Sequence, residues 1–170
     1  VALSLRGYEP SKIYDKVSDY SIDLLTNDII KAIDEIKCSL ALMKNMFNKT
    51  KYKIIICGHD WGGALAYELD KTQPNLIDKM IIFNAPKLEQ FKLNYTITQI
   101  IKSWYFLFFQ LPILPEIILG FFLKKITGEY NLYNTNCKFK NTRAIINYYR
   151  ANIFSKYSFN ITDNFEYATE

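Results

Sequence analysis

The hexapeptide Gly-His-Asp-Trp-Gly-Gly at residues 58–63 has the residue types and the spacing of a catalytic turn. A short, mostly apolar and β-branched stretch at residues 53–57 precedes it and predicts a buried strand. Good helix formers at residues 64–69 follow it and predict a helix. A strand, a glycine-flanked turn and a helix make up a nucleophile elbow, whose central residue takes a strained backbone conformation. That central residue is Asp60.

A carboxylate at the position of Asp60 can attack an electrophilic carbon and form an ester, which water must later hydrolyse. The backbone N–H of Trp61, the next residue, is predicted to be one donor of the oxyanion hole. His59 also flanks the turn. We expect it to pack or hydrogen-bond beside the elbow, because a side chain next to the nucleophile points away from it. An ordinary tight turn is the alternative, which the agreement of strand, motif and helix disfavours.

Hydrophobic periodicity predicts the elements that position this turn. Apolar residues at steps of three and four predict a helix at residues 21–46, with Ser21 as its N-cap. A second buried strand is predicted at residues 79–83, and residues 1–5 predict the end of another strand. Strand, helix and strand with short loops form a right-handed parallel crossover. The fold class is therefore α/β, with Asp60 at the carboxyl end of a parallel sheet, where ligands bind in such folds.

The most hydrophobic stretch, residues 104–122, is long enough to raise the possibility of a transmembrane helix. Gln110, Glu116 and two prolines lie inside it and disfavour a spanning helix. We instead predict two helices that are broken at Pro112 and Pro115. Farther along the chain, residues 124–140 are polar and predict a loop. A further helix is predicted around residues 145–150.

Composition limits the classes of function. The chain has 170 residues, of which 49% are hydrophobic and 22% charged, as in an ordinary globular protein. Its net charge of +4 comes from scattered lysines, and no basic run with interleaved aromatic residues predicts nucleic-acid binding. The three cysteines lack the spacing of metal ligands, and no metal or cofactor is predicted. No signal peptide opens the sequence.

The hexapeptide resembles the nucleophile elbow of the epoxide hydrolases, in the α/β-hydrolase superfamily. Arg6-Gly7-Tyr8 matches a further segment of that family, although Ser4 and Glu9 depart from its pattern. The Asn-Ala-Pro at residues 84–86, after the second predicted strand, is also similar to the family. The resemblance implies a two-step hydrolysis in which Asp60 attacks an oxirane.

Two tyrosines match the family's cap domain. Tyr105 lies five residues before a Gln-x-Pro, and Tyr149 directly precedes Arg150. Tyr148 fills the adjacent, variable position. The resemblance implies that Tyr105 and Tyr149 donate hydrogen bonds to the epoxide oxygen as it becomes an alkoxide, which suits a phenol with a pKa near 10. It also implies that the substrate is a small lipophilic epoxide.

By the same resemblance, residues 1–92 form part of an α/β-hydrolase core, residues 93–158 form a shortened helical cap, and the tail at 159–170 is unassigned. The family's base histidine and its acid follow the cap, and another oxyanion loop precedes the core. The only histidine of this sequence is His59. We therefore expect that the sequence covers the middle of the fold and does not turn over by itself. We also expect an uncovered apolar face on the sheet.

Three alternatives stay open. Haloalkane dehalogenases share the aspartate ester and hold halide with indole or amide N–H groups, of which Trp61 could supply one; the two cap tyrosines favour an epoxide. A non-catalytic, truncated α/β-hydrolase homologue that acts as a binding module would explain the absent base. A membrane-associated protein could be anchored by residues 104–122, although this is not favoured. The compartment, cytoplasmic or membrane-associated by resemblance, and the oligomeric state are not fixed by the sequence.

Overall fold

The chain folds into a mixed α/β structure, as its sequence predicts. The computed structural model describes residues 1–8, 13–47, 52–89, 96–127 and 138–153. After a 3₁₀ helix come a long helix and a strand–helix–strand unit, and four further helices follow. Their bounds are Val17–Tyr20 for the 3₁₀ helix, then α1 Ile22–Phe47, β1 Ile55–His59, α2 Trp61–Thr72, β2 Lys79–Phe83, α3 Ile97–Lys102, α4 Trp104–Phe108, α5 Leu114–Thr127 and α6 Lys138–Asn152.

The two strands pair in parallel, and α2 is the crossover between them. The register runs from Ile55 opposite Lys79 to His59 opposite Phe83. The bounds of β2 are those predicted, whereas β1 begins and ends two residues later than predicted. Before β1, the Ile54 carbonyl accepts a hydrogen bond from the Asp78 N–H at 2.9 Å. At its other end, β1 ends at His59, the residue directly before Asp60.

The small sheet is covered on one face only. The exposed face carries Ile55, Ile81 and Phe83, whose exposed fractions are 56%, 48% and 54%. Leu65 and Leu69 of α2, the crossover helix, are fully buried. The expected uncovered apolar face is thus present on the described strands.

The core joins the first and the last described parts of the chain. Tyr148 of α6 is fully buried, and its hydroxyl donates to the Arg6 carbonyl at 2.6 Å. The Asn152 side chain donates to the Tyr20 carbonyl at 2.9 Å and accepts from the Ile22 N–H at 2.7 Å. These bonds hold α6 against the 3₁₀ helix and the start of α1. The buried members of this core are Tyr20, Leu25, Trp61, Ala64, Leu65, Phe106, Ala144, Tyr148, Ala151 and Ile153.

Two sequence predictions are wrong. Residues 1–5 form no strand, and Val1 and Leu3 are exposed, because no described strand lies beside them to supply backbone hydrogen bonds. Residues 124–127 belong to α5 rather than to a loop, since lysine and isoleucine continue a helix readily. Residues 128–137 of that predicted loop lie outside the described residues, and residues 138–140 belong to α6 rather than to a loop. The tail beyond residue 153 also lies outside the described residues.

The hydrophobic stretch is broken where the prolines stand. A helix ends at Phe108, Pro112 lies in the connection, and Pro115 is the second residue of α5, where its missing N–H removes no helical hydrogen bond. Within the described ranges, no helix is both long enough and apolar enough to cross a membrane. The prediction of separate helices is therefore confirmed.

Candidate active site

Asp60 occupies a strained turn between β1 and α2. Its φ of 51° and ψ of −122° lie in a region that side chains other than glycine rarely adopt. The Asp60 carbonyl accepts hydrogen bonds from the Gly63 and Ala64 N–H groups, each at 3.0 Å. Such a backbone costs about 1–3 kcal/mol and persists where the surrounding structure fixes it. The strand and helix on either side therefore hold Asp60 in the geometry that the motif predicts.

Two of the three glycines around Asp60 are required by close packing. A Cβ at Gly58 would lie 2.6 Å from the Gly62 carbonyl oxygen, and one at Gly63 would lie 2.5 Å from the Ala85 Cβ. A Cβ at Gly62 would meet no heavy atom within 4 Å. Gly58 lets the strand approach the helix, and Gly63 lets the helix approach the loop after β2. The importance of Gly63 over Gly62 was not visible in the sequence.

The Asp60 side chain is exposed and is not used to cap its own helix. Asp60 is the N-cap residue of α2, yet its carboxylate makes no capping hydrogen bond. The first N–H of the helix, that of Trp61, has no intrahelical partner by position, and the helix dipole favours negative charge there. The carboxylate is thus presented at an electropositive helix end. The Trp61 N–H is the first of the helix, and its role as an oxyanion donor stays a prediction.

The two predicted cap tyrosines come together beside Trp61. The rings of Tyr105 and Tyr149 meet edge to face, with centroids 5.9 Å apart and planes at 80°. The Tyr149 ring also lies 5.3 Å from the Trp61 ring, at 83°. Phe106 and Phe109 contact Tyr149 as well, at 5.3 and 4.9 Å. Tyr149 is therefore enclosed by aromatic rings from α2 and from the segment that carries Tyr105.

Both phenols respond to the charge of Asp60. Burial raises the pKa of Tyr149 to about 12, with a further contribution from the Asp60 carboxylate, while a hydrogen bond with the Trp61 side chain acts in the opposite direction. Burial and then the Asp60 charge also raise the pKa of Tyr105. The two hydroxyl groups are therefore protonated at neutral pH. They also lie within electrostatic reach of the predicted nucleophile.

His59 and Tyr148 have different surroundings. His59 is the last residue of β1, opposite Phe83, and is exposed. Tyr148, the neighbour of Tyr149 on α6, packs its ring 5.5 Å from Tyr20 and 5.4 Å from Trp61. Tyr148 is thus a core residue that packs on Trp61, a role that the sequence did not predict.

The sequence also did not predict a buried ion pair beside the tyrosines. The Arg150 Nη1 donates to Glu116 Oε1 at 2.6 Å, and both side chains are largely buried, with exposed fractions of 14% and 4%. Arg150 also donates to the carbonyls of Phe109, at 2.8 Å, and of Leu111, at 2.6 Å. It therefore ties the turn after Tyr105 to the helix that carries Tyr149. In the sequence, the feature that could have indicated this ion pair was a single acidic residue, Glu116, within an apolar stretch.

A surface cavity lies away from these residues. It has a volume of about 400 Å³ and is lined by residues 2–6 and by one side of α1, and neither Asp60 nor a cap tyrosine borders it. Arg6 and Asp28 form an ion pair at its wall, at 2.8 Å. Among the described residues, no group of three His, Cys, Asp or Glu side chains could hold a metal ion. The candidate groups that the structure brings to the elbow are a carboxylate and two phenols.

Comparison with known proteins identifies the family of this chain. It is 36% identical to epoxide hydrolase 3 of Mus musculus over 123 residues, which are 71% of this chain and 30% of the relative. It is 35% identical to epoxide hydrolase 1 of Caenorhabditis elegans over 120 residues, 69% of this chain and 26% of the relative. The chain belongs to the epoxide hydrolase family of the α/β-hydrolase superfamily. The matched segment therefore spans about a third or less of these two members' own lengths.

The fold agrees with that of a solved epoxide hydrolase. A Bacillus megaterium epoxide hydrolase, complexed with its naphthyloxy-propanediol product, superposes with a TM-score of 0.58 and 20% sequence identity. The superposition covers 91% of this chain and 56% of that chain. No family model matches the sequence. The partial α/β-hydrolase fold that the elbow predicts is thereby shown.

Proposed function

We propose that this epoxide hydrolase homologue opens epoxides by forming an ester on Asp60. A carboxylate oxygen of Asp60 attacks one oxirane carbon, and the bond between that carbon and the ring oxygen breaks. The electron pair of this bond goes to the ring oxygen, which takes up a proton from solvent water while Tyr105 and Tyr149 donate hydrogen bonds to it. Water later splits the ester and releases a diol, restoring the carboxylate.

The strongest support for this proposal is the position of Asp60 relative to the two cap tyrosines. Asp60 stands at positive φ between a strand and a helix, and the ring of its neighbour Trp61 packs edge to face on the Tyr149 ring, which also contacts the Tyr105 ring. Two phenols whose pKa is raised by burial, and then by the Asp60 charge, therefore lie beside the turn that carries Asp60. The carboxylate can attack a carbon while the phenols stabilise the departing oxygen. In this arrangement residues 1–92 supply the core and residues 93–158 the cap.

We further propose that this chain by itself forms the ester but does not complete a catalytic cycle. Hydrolysis of such an ester needs a base that activates water, and the only histidine of the sequence is His59. His59 flanks the nucleophile at the end of β1, opposite Phe83. A side chain in that place does not approach its neighbour's ester carbon. The ester on Asp60 is then a stable product rather than an intermediate.

The proposed substrate is lipophilic and small. Aromatic rings surround Tyr149, because Phe106, Phe109 and Trp61 all contact its ring. The related Bacillus megaterium enzyme was solved with a diol that bears a naphthyloxy group. An aryl glycidyl ether combines an apolar ring with a reactive epoxide and is the probe that we choose.

The test is mass spectrometry of the chain after incubation with excess phenyl glycidyl ether. We expect one added equivalent, on the peptide that contains Asp60, and no adduct there in Asp60→Asn. Asp70→Asn is the matched control, since Asp70 is an exposed carboxylate on α2, and its adduct at Asp60 should be unchanged. Absence of the adduct would refute the proposed ester. Steady formation of diol would refute only the proposal of a single turnover.

The haloalkane dehalogenase alternative is tested by the same chain. It would need the Trp61 indole N–H, the sole donor of that side chain, to hold halide. The Trp61 ring instead packs edge to face on the Tyr149 ring, with centroids 5.3 Å apart. We expect no release of bromide from 1-bromobutane under conditions that alkylate Asp60 with the epoxide. A chain that reacts with neither reagent would fit the non-catalytic homologue.

A further inference from the structure

The Phe109 ring lies against both cap tyrosines. Phe109 is the C-cap residue of α4 and keeps a helical backbone, and its N–H donates to the Tyr105 carbonyl at 2.9 Å. Four positions apart on a helical backbone, the two side chains share one face. The Phe109 ring lies 5.7 Å from the Tyr105 ring and 4.9 Å from the Tyr149 ring. Because the two tyrosine rings also contact each other, the position of Phe109 limits where both of them can stand.

Arg150 fixes the backbone of Phe109. Its Nε donates to the Phe109 carbonyl at 2.8 Å, and its Nη2 donates to the Leu111 carbonyl at 2.6 Å. Carbonyl groups at the end of a helix lack intrahelical partners, and a cationic side chain can supply them. Arg150 directly follows Tyr149 on α6. Helix α6 therefore contacts Phe109 twice, through the Tyr149 ring and through the Arg150 guanidinium.

Glu116 of α5 holds the guanidinium itself. The Arg150 Nη1 donates to Glu116 Oε1 at 2.6 Å, and the Arg150 Nη2 donates to Glu116 Oε2 at 3.2 Å. Such a two-point contact fixes the orientation of the planar guanidinium as well as its place. Both side chains are largely buried, so the pair is poorly screened by solvent. We call Arg150 and Glu116 the clamp.

We propose that Arg150 is a positioning residue that sets the place of the Tyr105 and Tyr149 hydroxyl groups for the reaction at Asp60. It acts through the Phe109 backbone and ring. This inference rests on the function proposed above, in which both phenols donate to the departing epoxide oxygen. Donation requires that both phenols stand where that oxygen develops its charge, and a misplacement of about 1 Å can cost about a hundredfold in rate. Loss of the clamp then leaves the phenols present but badly placed.

The first test removes the whole clamp with Arg150→Met and Glu116→Leu in one chain. Both charges go together, so no buried charge is left uncompensated, and such replacements are often neutral for stability. The rate of adduct formation at Asp60 is measured against the concentration of phenyl glycidyl ether. We expect the limiting rate to fall about tenfold and the half-saturating concentration to change less than about twofold. Arg143→Met, at an exposed arginine of α6, is the matched control and should change neither value.

A second variant leaves the clamp intact and removes the ring through which it acts. Phe109→Leu should also lower the limiting rate about tenfold, since no ring then separates the two tyrosines. Phe108→Leu is its control, because the Phe108 ring packs on Trp104 and on the outer neighbour Phe109 rather than between the phenols. Circular dichroism checks that every variant keeps its helices. An unchanged limiting rate in the folded clamp variant, or in Phe109→Leu, would overturn the proposal.

A double-mutant comparison separates positioning from a general effect on the fold. In a chain that carries both Tyr105→Phe and Tyr149→Phe, no phenol is left to position. Loss of the clamp should therefore change the remaining alkylation rate by less than about twofold. An equal tenfold fall with and without the phenols would overturn the proposal, because the clamp would then act on something other than the two hydroxyl groups.

A measurement without substrate keeps this proposal distinct from that of the Asp60 ester. If the wild-type chain forms no adduct, the ester proposal fails, and the clamp is judged by nuclear Overhauser effects between the ring protons of Phe109 and Tyr149. These rings are close enough in the wild-type chain to give such effects. Their loss in the clamp variant, but not in Arg143→Met, would support positioning by Arg150. Their persistence in the clamp variant would overturn it.

Discussion

Tyr105 and Tyr149 meet edge to face, with ring centroids 5.9 Å apart, although they belong to different helices. Burial, and then the charge of Asp60, raises the pKa of both tyrosines, and Asp60 lies in the turn between β1 and α2. Their meeting depends on the packing of α4 against α6. The candidate site is therefore assembled by tertiary structure rather than by one motif.

Removing either tyrosine hydroxyl should slow the alkylation of Asp60. In Tyr105→Phe or Tyr149→Phe, the departing oxygen loses one hydrogen-bond donor, and we expect the rate of adduct formation to fall about a hundredfold. The measurement is the time course of the Asp60 adduct by intact-mass spectrometry. Tyr52→Phe is the control, because Tyr52 is exposed and donates only to the Leu40 carbonyl, at 3.3 Å. Equal rates in all three variants would remove the two cap tyrosines from the mechanism.

The alkylation rate should be insensitive to pH well into the alkaline range. The donor is the protonated phenol, and its pKa in Tyr149 is raised to about 12, so donation is lost only as pH rises through that value. An ordinary tyrosine with a pKa of about 10 would already be half ionised at about pH 10. Adduct formation measured across this range should show no step near pH 10. A clear fall there would mean that Tyr149 titrates normally or does not act.

The same raised pKa should make the fold sensitive to alkali. Between about pH 10 and the folded pKa of about 12, Tyr149 is ionised in the unfolded chain but neutral in the folded one. The unfolded state then binds fewer protons, so the free energy of unfolding falls as pH rises through this window. Urea denaturation at pH values on either side of this window should show that fall in the free energy of unfolding. Tyr149→Phe should show a smaller one.

Substitution of the three glycines near Asp60 by alanine should change the stability of the fold by different amounts. Gly58→Ala and Gly63→Ala place a Cβ 2.6 and 2.5 Å from neighbouring atoms and should destabilise the fold by about 2 kcal/mol or more. Gly62→Ala meets open space and should be neutral or stabilising by up to about 1 kcal/mol, since alanine favours the helix. Thermal denaturation of the three variants measures the difference. A Gly62→Ala variant as unstable as the other two would contradict this packing.

Breaking the buried ion pair should cost more than breaking an exposed one. In Glu116→Gln, the Arg150 guanidinium stays buried with its charge uncompensated, and we expect a loss of about 3–5 kcal/mol. The exposed Lys71–Glu89 pair is the control, and Glu89→Gln should change stability by less than about 1 kcal/mol. Urea denaturation gives both values. If the losses were equal, Arg150 would not hold the turn that follows Tyr105.

The sequence predicted those features that depend on local pattern. The bounds of β2 agreed residue for residue, and the glycine-flanked Asp60 predicted a turn that has the strained backbone. Tyr105 and Tyr149 were selected by their resemblance to the cap tyrosines of the family, and the structure places their rings in contact. Their roles remain proposals. Local pattern therefore predicted the elbow, whereas the family resemblance selected the tyrosines.

Long-range packing could not be predicted in the same way. Glu116 was weighed only as a charge that disfavours a spanning helix, because its partner Arg150 lies on another helix. Tyr148 was treated as a variable neighbour, yet it is fully buried and bonded to the Arg6 carbonyl. Residues 1–5 have the composition of a strand, but a strand forms only beside another strand. Each miss arose where a partner distant in sequence decides the outcome.

The hydrogen bond from the Tyr148 hydroxyl to the Arg6 carbonyl spans 142 positions of sequence, and this separation has a consequence for biosynthesis. As the ribosome extends the chain, Tyr20, Leu25 and Trp61 emerge long before the helix that covers them. Such late, non-local closure slows folding and leaves apolar surface open to chaperones in the meantime. Asp60 and Tyr149 can face each other only after nearly the whole described chain has been made. We therefore expect nascent chains that stop before α6 to be captured by chaperones far more than complete ones.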